Sequence, residues 1–290
     1  MSSAPVGISP TPVEVPPVVD AVASRLRSGA TVVPVWRNEY GGLTVRLEAG
    51  STRRSTYLKW VPHGAPCPDP LAEADRLVWA GSFSPVPRVL DVGRDAHGSW
   101  LLTAAVEVGG AVATSAIEPR WRALAVRSAT AVGAGLRRFH DALPTDTCPF
   151  VRTAPTRIAA LRATPAALLA SADGTTTAVG VPPPVDRAVV CHGDATVSNT
   201  LFDRAGRFAA HVDVGDLGVA DRWSDIAVTT RSVTRRYGPG LEPLVLAAYG
   251  VAPDHERTTY YRALWDAEEA ARTRAMAPGG PRQAQRRRAS

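Results

Sequence analysis

The chain has 290 residues, of which 45% are hydrophobic and 21% are charged. This length and apolar fraction allow a sizeable buried core, arranged as one large domain or as two smaller lobes. Its apolar runs fall well short of the roughly 20 residues that a membrane span requires, and the N-terminal residues do not have the pattern of a secretory signal. The three cysteines are widely spaced, so we expect neither a disulfide framework nor a zinc site, and a cytoplasmic protein.

The formal net charge of +6 is concentrated at the C-terminus. Residues 271–290 contain six arginines and no acid, so residues 1–270 carry 27 basic and 27 acidic groups. We predict that residues 277–290 form a basic, disordered tail and that the protein has no specific nucleic-acid partner. Non-specific attraction of the tail to polyanions stays open.

The first half of the chain is rich in predicted strands. Residues 1–18 contain many prolines and serines and are predicted to be a disordered leader. Short β-rich runs at 31–36, 43–47 and 55–60 predict an antiparallel meander. Asp69 and Pro70 predict the start of a helix over 71–80, which Gly81 ends. Two further strands are predicted at 86–92 and 100–103. Residues 19–108 are therefore interpreted as a β-rich N-lobe.

The second half is mainly helical by pattern. Helices are predicted at 119–140, at 156–170 and over most of 222–276, with a loop at 171–186. Short strands are predicted at 189–191, 200–202 and 208–212. Residues 109–276 are interpreted as a larger, helical C-lobe. The predicted fold is therefore α+β and two-lobed, with a small antiparallel N-lobe, a larger helical C-lobe and a ligand in the cleft between them.

A carboxylate and a carboxamide lie five residues apart in the segment HGDATVSN, as Asp194 and Asn199, and Asp213 follows the next predicted strand. Oxygen atoms of Asn199 and Asp213 suit Mg²⁺, which prefers oxygen ligands. Asp194 is then placed to accept the proton of an attacking hydroxyl, as phosphoryl transfer requires. The alternative is that these are turn and cap residues. Their combination favours chemistry, whereas His192 is interpreted as holding the loop through backbone hydrogen bonds.

Lys59 is the single lysine among 33 basic residues, which indicates a position where a compact ammonium is needed. Together with Glu73 on the following predicted helix, it would bind nucleotide phosphates. The alternatives are a surface lysine and a solvated acid, with Asp75 competing for the role of Glu73. The loop from residue 38 to 44 would cover the phosphates through Asn38, Gly41 and Gly42, although any hairpin can contain such a turn.

The segments HGDATVSN and HVDVGDLGVADRWSDIA resemble the signature of the aminoglycoside phosphotransferases, especially the 3′ group, with its HGDxxxxN and DxGRxGxADRxxDIA motifs. The resemblance extends over roughly residues 30–270. It implies a protein-kinase-like fold and phosphorylation of an antibiotic hydroxyl by ATP or GTP with Mg²⁺. It also implies roles for five residues: Asp194 as catalytic base, Asn199 and Asp213 as magnesium ligands, Lys59 as phosphate ligand and Glu73 as its partner.

The chain departs from that family pattern on the acceptor side. Asp216 stands where the family usually has arginine in DxGRxG, and the predicted loop at 171–186 offers few acids for a polycationic acceptor. Asp216, Asp266 and Glu268 are the candidate acceptor-binding residues.

The leading hypothesis is an O-phosphotransferase acting on a small hydroxylated molecule, an aminoglycoside, and active as a monomer or dimer. One alternative is a kinase of another small metabolite or antibiotic. The other is a non-catalytic nucleotide-binding or nucleic-acid-associated protein that uses the basic tail.

Overall fold

The computed structural model describes residues 14–48, 55–163 and 179–276, which fall into two compact units. Unit 1 runs to Thr114 and includes Leu201–Gly215, and unit 2 comprises Ser115–Thr200 and the chain from Asp216. This division differs from the predicted boundary at 108/109 in two ways. Unit 1 extends to Thr114, and the segment that carries Asp213 packs with unit 1. The predicted tail, residues 1–13 of the predicted leader and residues 171–178 of the predicted 171–186 loop lie outside the described residues.

Unit 1 is built on a five-stranded sheet with the order β1-β2-β3-β5-β4. Its neighbouring strands are all antiparallel, as predicted. The strands are β1 (Thr31–Arg37), β2 (Leu43–Glu48), β3 (Thr56–Pro62), β4 (Val89–Arg94) and β5 (Gly98–Ala104). The short strands β6 (Glu107–Val108) and β7 (Ala111–Val112) form a separate hairpin.

One face of this sheet is covered by helix α1 (Pro17–Leu26). Successive strand side chains point to opposite faces, and β2 and β3 accordingly alternate between buried and partly buried residues. Val19, Val22 and Ala23 of α1 pack into the core with the buried residues of the strands. The helix starts inside the segment that composition assigned to a disordered leader, because Pro17 occupies its first turn, where proline is tolerated. The leader prediction is therefore wrong for residues 17 and 18.

Helix α2 (Pro70–Ala80) begins and ends where the sequence predicts. The Asp69 carboxylate accepts a hydrogen bond from the Leu71 backbone N–H at 3.1 Å, which satisfies one of the donors at the start of the helix. Glu73 lies on the buried face of α2 and is 3% exposed. Three more short strands follow along the chain: β8 (Thr114–Ser115), β10 (Thr200–Phe202) and β11 (Phe208–His211).

Unit 2 is mostly helical. Its helices are α3 (Pro119–Arg122), α4 (Ala125–Ala142), α5 (Ala154–Ala163), α6 (Trp223–Tyr237), α7 (Glu242–Tyr249) and α8 (His255–Met276). The single helix predicted at 119–140 is two helices, because Leu124 between them leaves the helical conformation. Helices α4 and α7 touch at Gly133, where a Cβ would lie 2.4 Å from the Val245 carbonyl oxygen, so only glycine permits this approach.

Two antiparallel strands of unit 2 lead into the loops of interest. Strand β9 (Ala188–Cys191) pairs with β12 (Gly218–Asp221), and Cys191 lies opposite Gly218. The sequence did not predict β12, because its glycine reads as part of a turn. Among the described residues, no helix is both long and apolar enough to cross a membrane.

Candidate active site

The loop after β9 places Asp194 and Asn199 in direct contact. Asn199 closes a single 3₁₀ turn (Val197–Asn199), and its side-chain N–H₂ donates to the Asp194 carboxylate and to the Asp194 backbone oxygen, both at 2.9 Å. The amide is thereby oriented with its nitrogen toward Asp194. The side-chain oxygen is the group that Asn199 would offer to a cation.

The backbone before Asp194 needs glycine at position 193. Gly193 has a φ of 88°, and a Cβ there would lie 2.2 Å from the Asp216 carbonyl oxygen. A left-handed conformation and a close backbone approach both favour glycine. The imidazole Nδ1 of His192 accepts from the Asp194 backbone N–H at 3.2 Å. His192 thus holds the loop, as the sequence interpretation has it.

Asp225 at the start of α6 anchors the same loop and was missed as a site residue. Its carboxylate accepts from the backbone N–H groups of His192 at 2.6 Å and Gly193 at 3.0 Å. It also contacts His140 Nε2 at 2.9 Å. Burial acts to raise the pKa of Asp225, but hydrogen bonds from the His140 side chain and the His192 backbone N–H outweigh burial and lower the pKa. The sequence signal that could have identified Asp225 is an acidic residue on the buried face of a predicted helix.

In unit 1, Lys59 lies between two carboxylates. Its ammonium is 2.7 Å from the Glu73 carboxylate and also donates to Asp213. Burial acts to lower the pKa of Lys59, but the negative charges of Asp213 and Glu73 outweigh burial and raise the pKa above its ordinary value. Glu73 rather than Asp75 is the partner, because Asp75 is exposed on the other face of α2.

Asp213 has an unusual backbone. Among the described residues it is the only non-glycine with a positive φ, 64°. Aspartate tolerates this left-handed conformation better than most residues, at a cost that functional sites often bear. Its side chain is 46% exposed, so the carboxylate that contacts Lys59 is also open to solvent.

The predicted phosphate loop is a tight turn between β1 and β2. Asn38 stabilises it, because its side-chain oxygen accepts from the backbone N–H groups of Tyr40 at 3.0 Å and Gly42 at 2.7 Å. Gly41 has a φ of 85°, and a Cβ on Gly42 would clash with the Asn38 side chain at 2.7 Å. These contacts explain the loop's residue types, and its part in nucleotide binding stays a prediction.

The three candidate acceptor-binding acids of unit 2 all pair with arginine. Asp216 contacts Arg152 at 3.2 Å and Arg272 at 3.3 Å. Asp266 contacts Arg231 at 2.6 Å. Glu268 is 8% exposed and contacts Arg157 at 2.7 Å. Their assignment to the acceptor stays a prediction, but any cationic acceptor would have to compete with these guanidinium groups.

The two predicted magnesium ligands, one in each unit, both carry oxygen donors. Asn199 offers an amide oxygen and Asp213 a carboxylate, the hard ligands that Mg²⁺ prefers. Another group of possible metal ligands, His140, Cys191 and Asp225, is buried in unit 2. Both ring nitrogens of His140 already form hydrogen bonds, and the Cys191 thiol is 3.3 Å from the Asp221 backbone oxygen. Burial also raises the pKa of the thiol, so hydrogen bonding rather than metal binding explains this group.

Unit 1 contains an ammonium held by an acid, and unit 2 contains a loop with a carboxylate beside an amide. Both arrangements are ones that the sequence predicts for a phosphotransferase of the protein-kinase-like type. Residues 36–261 match the model of the phosphotransferase enzyme family. The chain belongs to this family. The kinase-like α+β fold and the family resemblance drawn from the sequence are thereby confirmed, and the protein is a phosphotransferase with an alcohol group as acceptor.

Curated relatives are similar over most of their length. The chain is 34% identical over 218 residues to an aminoglycoside 3′-phosphotransferase of Streptomyces fradiae, covering 66% of this chain and 77% of the relative. It is 30% identical over 248 residues to a streptomycin 3″-kinase of Streptomyces griseus, covering 76% and 86% of the two chains.

Solved structures of aminoglycoside phosphotransferases are also similar to this chain. An aminoglycoside-3′-phosphotransferase of type VIII aligns with a TM-score of 0.68 at 29% identity, covering 86% of this chain and 97% of that one. An aminoglycoside phosphotransferase from Streptomyces rimosus, in complex with ADP and streptomycin, aligns with a TM-score of 0.62 at 28% identity, covering 86% and 98%.

Proposed function

We propose that this protein transfers the γ-phosphoryl group of ATP or GTP, with Mg²⁺, to a hydroxyl of an aminoglycoside and so confers resistance to that antibiotic. The observation that carries the chemistry is the contact between the Asn199 amide and the Asp194 carboxylate in the loop after β9. The acceptor class is supported by the 34% identity to an aminoglycoside 3′-phosphotransferase. A cytoplasmic protein, active as a monomer or dimer, is part of the same proposal.

Asp194 acts as the catalytic base. Its carboxylate orients the acceptor hydroxyl and takes its proton while the hydroxyl oxygen bonds to the γ-phosphorus. The bond between that phosphorus and the β–γ bridging oxygen breaks, and the nucleoside diphosphate leaves with the bonding electrons. Such transfer depends mainly on positioning and charge stabilisation. Asn199 supports it by holding the Asp194 side chain in one orientation.

Lys59 binds the phosphates of the nucleotide. Glu73 is almost fully buried and fixed on α2, so it holds the ammonium at a constant position. When nucleotide binds, the phosphate oxygens replace Asp213 as the second partner of Lys59. The turn made by Asn38, Gly41 and Gly42 covers the phosphates.

Asn199 and Asp213 are the residues that would hold the magnesium ion, each through a side-chain oxygen. The ion would supply positive charge that offsets the negative charge of the transferred phosphoryl group. Because Asp213 is exposed and held in a left-handed conformation, its carboxylate is directed by the backbone rather than by packing.

A second candidate function is the phosphorylation of another small hydroxylated molecule. It is favoured by the ion pairs that engage Asp216, Asp266 and Glu268. An acceptor with fewer positive charges would not have to displace arginines. Membership of an enzyme family argues against the non-catalytic alternative.

The test is an assay of nucleotide consumption and product mass with purified protein, with and without Mg²⁺, across aminoglycosides and neutral hydroxylated compounds. We expect one added phosphoryl group on at least one aminoglycoside. The Asp194→Ala variant should lose this transfer and bind nucleotide nearly as well as the native protein. Transfer to neutral compounds alone would favour the second candidate, and native turnover by Asp194→Ala would contradict the assignment of the base.

A further inference from the structure

An acid at position 216 lies beside the loop that carries Asp194. A Cβ on Gly193, the residue before Asp194, would lie 2.2 Å from the Asp216 carbonyl oxygen and 2.6 Å from the Asp216 Cβ. The family pattern DxGRxG has arginine at this position, and this chain has aspartate. The substitution brings a negative charge next to the proposed base in place of a positive one, and like charges at close range repel.

Two arginines neutralise Asp216, one at each carboxylate oxygen. Arg152 Nη1 lies 3.2 Å from Asp216 Oδ1, and Arg272 Nη2 lies 3.3 Å from Asp216 Oδ2. Arg152 is shared with a second acid, because its other terminal nitrogen lies 3.4 Å from the Glu268 carboxylate. Arg272, on helix α8, also pairs with Glu269 one turn earlier on the same helix. All five side chains belong to unit 2.

Arg272 also interacts electrostatically with the proposed base. Burial acts to lower the pKa of Arg272, but the charges of four acids outweigh burial and raise the pKa; in decreasing order they are Asp216, Glu269, Glu268 and Asp194. The Arg272 side chain is 28% exposed, so solvent screens these interactions only in part. Its guanidinium therefore offsets negative charge at Asp216 and at Asp194 together.

We propose that Arg272 is a positioning residue for phosphoryl transfer, and that it supplies from α8 the positive charge beside Asp194 that position 216 lacks. The proposal rests on the proposed function. Arg272 acts through Asp194, which has to take a proton from a hydroxyl as that hydroxyl approaches a negatively charged phosphoryl group. A second carboxylate next to the base opposes this step unless a fixed cation offsets its charge.

The alternative role of Arg272 is a structural tie between α8 and Asp216. A tie needs opposite charges at the two positions, whereas the proposed role needs only a positive charge next to Asp194. The two roles therefore differ in the effect of a guanidinium introduced at position 216 of a protein that has lost the one at position 272.

The experiment uses the full-length protein. Arg272→Gln removes the charge, Arg272→Lys keeps it, and a double variant combines Arg272→Gln with Asp216→Arg. The control is Arg257→Gln, because Arg257 lies near the start of the same helix and pairs with Asp254 at 2.6 Å. Each protein is measured for kcat, for KM of the nucleotide and for the free energy of unfolding in denaturant. The acceptor is kept saturating, since the charge at position 216 also bears on the acceptor KM.

We expect Arg272→Gln to lower kcat about tenfold with a nearly unchanged KM for the nucleotide, a smaller loss than the cost of about 10²–10³-fold for a group that contacts the transferred charge. Arg272→Lys should keep most of the native kcat. The double variant should recover most of the loss in kcat, although its free energy of unfolding stays at or below that of Arg272→Gln, because the ion pair remains broken. Arg257→Gln should keep the native kcat.

Native kcat in Arg272→Gln would overturn the proposal. A double variant with a kcat at or below that of Arg272→Gln would also overturn it and would assign Arg272 the role of a structural tie.

The same proteins are measured for hydrolysis of the nucleotide without acceptor, in which water takes the place of the acceptor hydroxyl at Asp194. If the native protein hydrolyses nucleotide but phosphorylates no aminoglycoside, the proposed acceptor fails, and the hydrolysis rates of the variants still test Arg272. A native protein without either activity would overturn both proposals.

Discussion

The Lys59 ammonium and the Glu73 carboxylate are 2.7 Å apart, and Glu73 is 3% exposed. The pair joins strand β3 to helix α2 in the first unit. A buried carboxylate is costly without a charged partner, so each side chain depends on the other. The pair therefore fixes the position of the only lysine of the chain.

Replacement of Lys59 tests its role at the phosphates. We expect Lys59→Ala to lower kcat/KM for the nucleotide by about 10²–10³-fold, the usual cost of removing one group that stabilises transferred charge. Lys59→Arg should be only partly active, since a planar guanidinium does not replace a compact ammonium between Glu73 and Asp213. Steady-state kinetics measures both, with Arg46→Lys as a control on neighbouring strand β2. Native kinetics in Lys59→Ala would contradict the assignment.

Gly193 offers a second test, of the backbone before Asp194. Gly193→Ala combines an unfavourable φ with a Cβ only 2.2 Å from the Asp216 carbonyl oxygen. We expect kcat to fall by at least about tenfold while nucleotide affinity holds, because the loop must shift. The matched control is Gly238→Ala, which also has a positive φ, 110°, but nothing within 4 Å of its added Cβ. Equal effects of the two substitutions on kcat would contradict the prediction that the backbone geometry at Gly193 determines kcat.

The sequence predicts those parts of the site that are local. Alternating strand patterns place Lys59 on β3, and capping at Asp69 places the helix of Glu73. The spacing from Asp194 to Asn199 predicts one loop that carries both groups, and in the structure the two side chains are in contact. Each of these inferences needs only the chain's short-range geometry.

Contacts between distant segments could not be predicted from the sequence. The bond between His140 and Asp225 spans 85 residues and depends on how α4 and α6 pack. The ion pair of Arg272 with Asp216 spans 56 residues. Residue types indicate that buried charges need partners, but they do not say which partners, because many arginines compete for each acid.

The buried pair of Arg157 and Glu268 makes stability depend on pH. Burial acts to raise the pKa of Glu268, but hydrogen bonds from Arg157 outweigh burial and lower the pKa. A lowered pKa stabilises the folded state above the ordinary glutamate value of about 4.3, and this stability is lost as the pH falls through the lower folded-state pKa. We expect the free energy of unfolding to decrease on acidification over this range.

The Glu268→Gln variant separates the contribution of Glu268 to the pH dependence of stability from the contributions of other acids. It leaves the Arg157 charge buried, so we expect a loss of about 3–5 kcal/mol at neutral pH and a shallower decrease with acidification. Glu256→Gln is the control, since Glu256 is exposed on the same helix, α8. Denaturant unfolding between pH 7 and 3 measures both. A loss in Glu268→Gln no greater than that in the control would mean that the pair contributes little.

The charge of Arg272 tests the acceptor. Arg272 contacts Asp216 and Glu269, and burial acts to lower its pKa, but these and neighbouring acids, Asp194 among them, raise it. Around Asp216 the carboxylates of Glu268 and Glu269 are balanced by arginines 152, 157 and 272. Arg272→Gln removes one positive charge from this group, and Asp216→Asn removes one negative charge.

For a polycationic acceptor the two substitutions have opposite expected effects. Arg272→Gln should lower the acceptor KM by up to about tenfold, and Asp216→Asn should raise it. A polycation binds more tightly where the protein carries more negative charge. Both effects should weaken with added salt, since partly exposed charges are screened. The KM of a neutral acceptor should change little in either variant. For an anionic acceptor, Arg272→Gln should raise the KM and Asp216→Asn should lower it. Acceptor kinetics at two ionic strengths therefore distinguishes an aminoglycoside from other hydroxylated molecules, through residues of the second unit alone.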